Sequence, residues 1–292
     1  MSELTSLASL ADVSDGLLDE LEALAWQAAK AAGHLLVTER PLDNELQVAT
    51  KSTPSDVVTE MDEAAEAVIT ALIRTYRPHD AIIGEEGATG TVDVDSAQIR
   101  WVIDPLDGTV NYLYRIPCWA VSIGVQVRID SQWHGVVAVV HAPALGSTWH
   151  ARLGGGAWLD NDEGRTRLQV SGQTQLSQAL VATGFGYDSR RRVEQGRTVA
   201  HMVSRCRDIR RAGAAAIDLC WVADGRLDGY WERGIKLWDH AGAALIVAEA
   251  GGQIGDLDGG PPSSSVVIAA NAGLWPQLAR ELAVADVLGS GI

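Results

Sequence analysis

The sequence predicts a mixed α+β fold, and three observations carry the prediction. Apolar residues recur at helical spacing, as at Leu17, Leu18, Leu21, Leu24, Ala25 and Ala28. The stretches 120–128, 133–141 and 148–151 are rich in Val, Ile and Trp and alternate weakly, as consecutive antiparallel strands do. Two further apolar runs, 81–84 and 101–103, stop on carboxylates. Strand ends that present side chains together are where α/β sheets place ligands.

Taken in order, residues 1–14 are small and polar and read as an N-terminal extension. Ser14 caps a helix running from Asp15 to about Thr38. The segment Lys51-Ser-Thr-Pro-Ser-Asp-Val-Val-Thr-Glu-Met-Asp62 begins as a short strand and turn. A second helix runs from Asp62 to near Arg77, with Ala65, Val68, Ile69 and Leu72 on its inner face. Asp62 falls in its first turn, where the helix dipole favours a carboxylate. That is a sufficient structural reason for Asp62, preferred here to a ligand role; Asp56 and Lys51 have none.

The strand 81–84 leads into Glu85 and Glu86 between two glycines. After the three antiparallel strands, Gly154-Gly155-Gly156 lacks the Lys-Ser/Thr of a phosphate loop and reads as a flexible connection. It is the expected seam of a single domain over 15–290, with halves 15–153 and 157–290. Ala179–Ala182 reads as a buried strand leading into Gly184-Phe-Gly-Tyr187, and the basic run Arg190–Arg192 as a solvated face. A helix follows around 194–205, then a strand at 208–211. Gly213-Ala214-Ala215-Ala216 opens a helix to about Ala223, its small residues allowing close approach to the backbone. A strand at 229–232, a helix from Trp238 through Ala250, a strand at 266–269 and Ala-rich helices complete the chain.

The chain is organised around Trp101-Val-Ile-Asp-Pro-Leu-Asp-Gly-Thr-Val-Asn111. Pro105 stops a strand after Asp104, Asp107 adds a second carboxylate, and Gly108 lets the backbone approach another group. Two carboxylates, the Leu106 carbonyl and a pair of N–H groups within one turn suit a hard cation such as Mg²⁺ with an anion beside it. The same residues also suit a type I turn without a ligand. Glu85, Asp104, Asp107 and Asp239, with Asp56 and Glu232 near them, would repel one another severely unless cations sit among them.

Composition narrows the partners. Of 292 residues, 38 are acidic and 23 basic, a net charge of −15 that disfavours nucleic acid and anionic membranes. No Lys or Arg precedes Lys30, so the start lacks the positive region of a secretory signal, and no apolar run reaches the length of a membrane span. Three scattered cysteines fit a reducing cytoplasm. Without Cys-x-x-Cys or His-x-x-x-His, zinc is not expected.

Five segments resemble, in order and spacing, motifs of the inositol monophosphatase family. They are Asp56-Val-Val-Thr-Glu-Met-Asp62, Gly84-Glu-Glu86, Asp104-Pro-Leu-Asp-Gly-Thr109, Arg211-Ala-Gly-Ala-Ala-Ala-Ile-Asp-Leu-Cys220 with Gly229-Tyr-Trp-Glu232, and Trp238-Asp-His-Ala-Gly-Ala243. The resemblance spans about residues 20–285. It implies a layered αβαβα sandwich, two or three Mg²⁺ per site with Mn²⁺ as a substitute, Li⁺ sensitivity and a homodimer. The implied reaction is hydrolysis of inositol 1-phosphate, a small phosphorylated polyol. By position, Glu85, Asp104, the Leu106 carbonyl, Asp107 and Asp239 are the implied metal ligands. Thr109 with Asp56, and Glu85 through a metal-bound water, are implied to orient and activate the nucleophile. The backbones of Gly108 and Thr109 would hold phosphate. Asp107, Gly213, Ala214, Ala215, Glu232 and Asp239 would face the polyol. Tyr112, Tyr114, Arg115 and Ala214 depart from the common pattern, which touches substrate fit more than metal chemistry. Histidinol phosphate or another small monoester is the alternative substrate, and a non-catalytic regulatory protein the alternative of another class.

Overall fold

The computed structural model describes residues 9–40, 48–50, 57–87 and 92–289, with backbone alone at 48–50, 57–59 and 287–289. Asp56 and Lys51 lie outside the described residues. Ser9 caps a single 3₁₀ turn at Leu10–Asp12. The Ser14 hydroxyl then accepts from Leu17 N and starts α1 (Asp15–Thr38), as the sequence predicts. Strands β1 (Val48–Thr50) and β2 (Val57–Thr59) form a small antiparallel pair ahead of α2 (Glu60–Tyr76).

Next come β3 (Ala81–Gly84), β4 (Ile99–Asp107), the short α3 (Thr109–Leu113), β5 (Ala120–Ile129), β6 (Gln132–Ala142) and β7 (Ser147–Arg152). Two strands not expected from the sequence follow, β8 (Gly156–Asn161) and β9 (Gly164–Arg167). The whole run builds a seven-stranded sheet in sequence order, β3 parallel to β4 and every other pair antiparallel. The Gly154–Gly156 triplet is therefore not a seam. It turns a hairpin between β7 and β8, with Gly154 and Gly156 at φ of +71° and +77°. The Glu249 carboxylate accepts from both of their N–H groups at 2.8 Å, which pins the turn. β9 reads Gly-Arg-Thr-Arg and is exposed throughout, so no hydrophobic alternation announced it.

The chain then crosses to a second sheet. It comprises β10 (Leu180–Thr183), α4 (Ser189–Met202), β11 (Asp208–Arg210), α5 (Ala215–Ala223), β12 (Gly229–Glu232), α6 (Leu237–Glu249), β13 (Gln253–Gly255), β14 (Val267–Ala270) and α7 (Trp275–Gly289). The strand order is β11-β10-β12-β14-β13, with β10 parallel to both of its neighbours.

Three apolar clusters define the layers. Leu21 and Ala28 of α1 and Ile69 of α2 pack on Trp101, Ile103, Val121 and Val139 of the first sheet. Ile217 of α5 and Val247 of α6 fill the space between Val140 and Trp149 of the first sheet and Tyr230 and Val267 of the second. Met202 of α4 with Leu278 and Leu282 of α7 covers the far side, against Trp231 and Ile268. Fully burying an aliphatic or aromatic side chain of this size contributes about 1.5–3 kcal/mol. The result is the expected α+β architecture, layered αβαβα.

Two glycines set how closely the middle layer approaches. A Cβ on Gly124 of β5 would meet the Ala241 carbonyl carbon at 2.9 Å, and one on Gly242 of α6 would meet Ser122 Oγ at 2.7 Å. Without side chains there, α6 lies directly on β5 and brings its first turn, holding Asp239, to the carboxylate end of β4.

Candidate active site

The site begins at an irregularity in β4. The strand does not stop at Pro105, as the sequence suggested, but bulges: Asp104 pairs with Ser122 and Asp107 with Ala120, so β4 carries one extra residue. Asp104 Oδ1 accepts from Leu106 N at 3.1 Å and holds the bulge. Gly108 follows at φ +90°, and a Cβ on it would lie 2.9 Å from the Cys118 carbonyl oxygen. Position 108 therefore needs glycine twice over, for its dihedral and for its space.

Three of the expected ligands come together across three elements. One carboxylate oxygen each from Glu85, Asp104 and Asp239 lies within 4.8 Å of the others; Asp104 is buried and the other two are half-buried. Asp239 also accepts from Lys236 N at 2.5 Å, which orients it at the start of α6. Asp107 stands apart from this trio. Its oxygens take the Ala215 and Ala216 N–H groups at 3.2 and 2.7 Å, so the carboxylate sits on the N-terminus of α5. Each of its oxygens keeps a lone pair for a further partner.

The electrostatics follow from burial. Asp104 is held well above the usual carboxylate range, first by desolvation and then by the charges of Glu85, Asp107 and Asp239. Burial raises Asp239 likewise, with Glu85 next in effect. Asp107 is pushed up to about 7 by burial, against the pull of the Ala216 N–H bond. An all-oxygen donor set of this charge fits a hard divalent cation, whose presence restores the ionised forms.

Thr109 and Asp62 supply the next pair. Thr109 Oγ1 lies 2.9 Å from Asp62 Oδ1 and 3.1 Å from the Leu106 carbonyl oxygen. Its single proton goes to the carboxylate, the stronger acceptor. The expected partner was Asp56, and Asp62 was read as a helix-dipole residue. Asp62 does sit in the first turn of α2, but only 1% exposed and facing inward. A carboxylate in a first turn satisfies the dipole rule whichever way it points, so spacing alone could not assign it.

On the opposite wall, Gly213 and Ala214 precede α5, and Ala214 Cβ lies 3.2 Å from where a Gly108 Cβ would be. Asn111, not singled out from the sequence, joins the two walls. Its side-chain amide donates to the Cys118 and Ala212 carbonyls at 2.6 and 2.9 Å, using both hydrogens. Its place in the 101–111 motif was the available signal. Glu232, at the end of β12, is 7% exposed and raised to about 7 by burial. An open depression of about 490 Å³ between α2 and the loop after β3 includes Glu66, Thr70 and Glu86 but none of these residues.

A layered αβαβα sandwich that brings Glu85, Asp104 and Asp239 together defines the class: a fold with an acidic cluster able to hold a cation. The chain belongs to the inositol monophosphatase family, whose profile matches residues 17–287. It is 41% identical over 281 residues to the Mycobacterium tuberculosis protein named inositol-1-monophosphatase SuhB, covering 94% of this chain and 93% of that one. It is 38% identical over 238 residues to the Escherichia coli protein named Nus factor SuhB, covering 81% and 85%. Among solved structures, the Bartonella henselae extragenic suppressor protein SuhB superposes with a TM-score of 0.81 at 33% identity, over 90% of this chain and 98% of that one. The Thermotoga maritima IMPase gives 0.79 at 28%, over 93% and 99%.

The raised carboxyls make a prediction about stability. Asp107 titrates near 7 in the fold against 3.8 ordinarily, and Glu232 near 7 against 4.5. Between about pH 4 and 7 the native state holds protons that the unfolded chain releases, so metal-free stability falls as pH rises through that window and stays low above it. Cations need the deprotonated forms, so Mg²⁺ raises the melting temperature more at pH 8 than at pH 5. Melting curves in chelator and in Mg²⁺ at both values test this; equal shifts refute it.

Proposed function

We propose that this protein is a Mg²⁺-dependent phosphomonoesterase acting on small phosphorylated polyols, with inositol 1-phosphate as its substrate. The convergence of Glu85, Asp104 and Asp239 within 4.8 Å carries the reading. These three, with the Leu106 carbonyl and Asp107, would hold divalent cations, which would neutralise phosphate charge and lower the pKa of water. The chain does the rest. Thr109 gives its hydroxyl proton to Asp62, which leaves the oxygen lone pairs to accept a proton from the attacking water, with Glu85 on the other side of that water. The N–H groups of Gly108 and Thr109 orient the phosphate. Gly213, Ala214, Ala215 and Glu232 face the alcohol portion, where a carboxylate accepts hydrogen bonds from ring hydroxyls. A homodimer, inhibition by Li⁺ and a cytoplasmic location belong to the same reading.

The relatives named Nus factor SuhB support a second reading, in which the fold serves a regulatory role. Phosphate release separates the two. Inositol 1-phosphate, histidinol phosphate and p-nitrophenyl phosphate are compared in Mg²⁺, with excess chelator, and with Li⁺. The proposal expects fastest release from inositol 1-phosphate, none with chelator and less with Li⁺. Full turnover in chelator, or preference for histidinol phosphate, overturns it; no release from any of the three favours the regulatory role.

A further inference from the structure

Glu232 is held by two neighbours that lie off the metal cluster. β12 alternates, so Tyr230 and Glu232 point to the same face while Trp231 points to the other, into the cluster under α4 and α7. On that face the Tyr230 hydroxyl donates to Glu232 Oε2 at 2.5 Å, and Tyr230 is fully buried. The parallel neighbour β10 pairs Ala182 with Tyr230 and Thr183 with Trp231, which sets Gly184 beside Glu232. A Cβ on Gly184 would collide with both carboxylate oxygens of Glu232. Gly184 has no positive φ, so its requirement is space and not backbone conformation.

We infer that Tyr230 and Gly184 are specificity-determining positioning residues: they fix the rotamer of the Glu232 carboxylate, and through it the preference for a polyhydroxylated leaving group. The inference rests on the reading of Glu232 given above. A hydroxyl donor on one carboxylate oxygen leaves the other as the acceptor for a substrate hydroxyl. The same donor favours the ionised form and so works against the burial that pushes this carboxylate up to about 7. A glutamate at a strand end has several rotamers available; the tyrosine selects one, and the missing side chain at 184 makes room for it. Such a device acts on recognition and not on the phosphoryl group. It therefore moves KM more than kcat.

The test uses Tyr230→Phe, Gly184→Ala, Glu232→Gln and the double variant Tyr230→Phe/Glu232→Gln, each checked for folding by circular dichroism. The readout is the ratio of kcat/KM for inositol 1-phosphate to that for p-nitrophenyl phosphate, which has no ring hydroxyls. Tyr230→Phe removes one buried hydrogen bond to a charged group and is expected to lower that ratio about tenfold, mostly through KM for inositol 1-phosphate. Gly184→Ala lowers it in the same direction as an independent arm. In the Glu232→Gln background the tyrosine substitution adds little, because its effect passes through the carboxylate. A selective Glu232→Gln beside a Tyr230→Phe that leaves the ratio intact, or that adds its full effect in the double variant, overturns the positioning role alone. A Glu232→Gln that lowers both substrates alike, or neither, overturns the polyol reading and the positioning role with it.

Discussion

Asp104→Asn is expected to lower kcat by about 10³-fold or more while the protein stays folded. Asp104 is buried at the bulge of β4 and shares a 4.8 Å cluster with Glu85 and Asp239. Asparagine keeps an Oδ1 that can accept from Leu106 N, so the bulge survives, but it removes one of the charges that would hold a cation. Two thermal signatures accompany the loss. The metal-free variant melts higher than the parent at neutral pH, because the fold no longer has to keep a proton on a buried carboxyl crowded by Glu85, Asp107 and Asp239. The increment in melting temperature on adding Mg²⁺ shrinks. Phosphate-release kinetics with melting curves in both states test this; turnover within about tenfold of the parent refutes the ligand role of Asp104.

Asp62→Asn is expected to lower kcat by about 10²- to 10⁴-fold, the range associated with a positioned proton acceptor. The amide can still accept the Thr109 hydroxyl bond, but it cannot take the proton. Thr109→Val removes the hydroxyl at nearly constant shape and is expected to cost as much, with no further loss in the double variant. Thr109→Ser retains the hydroxyl and recovers most of the rate. If Asp62 served only the α2 dipole, its loss would instead cost about 0.5–1 kcal/mol of stability and leave turnover alone. Single-turnover kinetics and a denaturation midpoint on the same samples separate these outcomes.

These two aspartates also mark where the sequence was legible and where it was not. Asp104 stood out because its signal is contiguous: an apolar run, a proline and a second acid fall within a few residues. The trio Glu85, Asp104 and Asp239 was legible for a related reason, since each stands where an apolar run breaks off or a helix begins. Asp62 was read only as a helix-dipole residue because its local pattern fits two orientations equally, and only the packing of α2 on the first sheet turns it toward Thr109. Asp107 reads locally as a ligand like Asp104, and nothing local announced that its oxygens also accept from the N–H groups of Ala215 and Ala216, more than a hundred residues away. Asn111 and Tyr230 carried no signal beyond their places in the motifs around residues 101–111 and 229–232. An amide after a helix start and a tyrosine in a short strand are ordinary until their partners are placed.

The sequence by itself determined the elements and the chemistry available at their ends. Periodicity marks α1 and α2, because burial on one face imposes a period that single residues reveal, and richness in Val, Ile and Trp marks the antiparallel run β5 to β7, which is buried on both faces. It also put several acids at the ends of those elements, where shared charge would make them repel one another unless something balanced it. The tertiary structure decided the rest. It joined β8 and β9 to the first sheet through a hairpin pinned by Glu249, although β9 has no buried face to announce it. It let α6 close on β5 through Gly124 and Gly242, which sets Asp239 against Asp104. It brought Asp62 to Thr109, and it set Glu232 between Tyr230 and Gly184. The physical reason is common to all of these: a side chain's direction and its long-range partner are fixed by packing between layers, and local pattern constrains only which residues stand at the ends of the elements being packed.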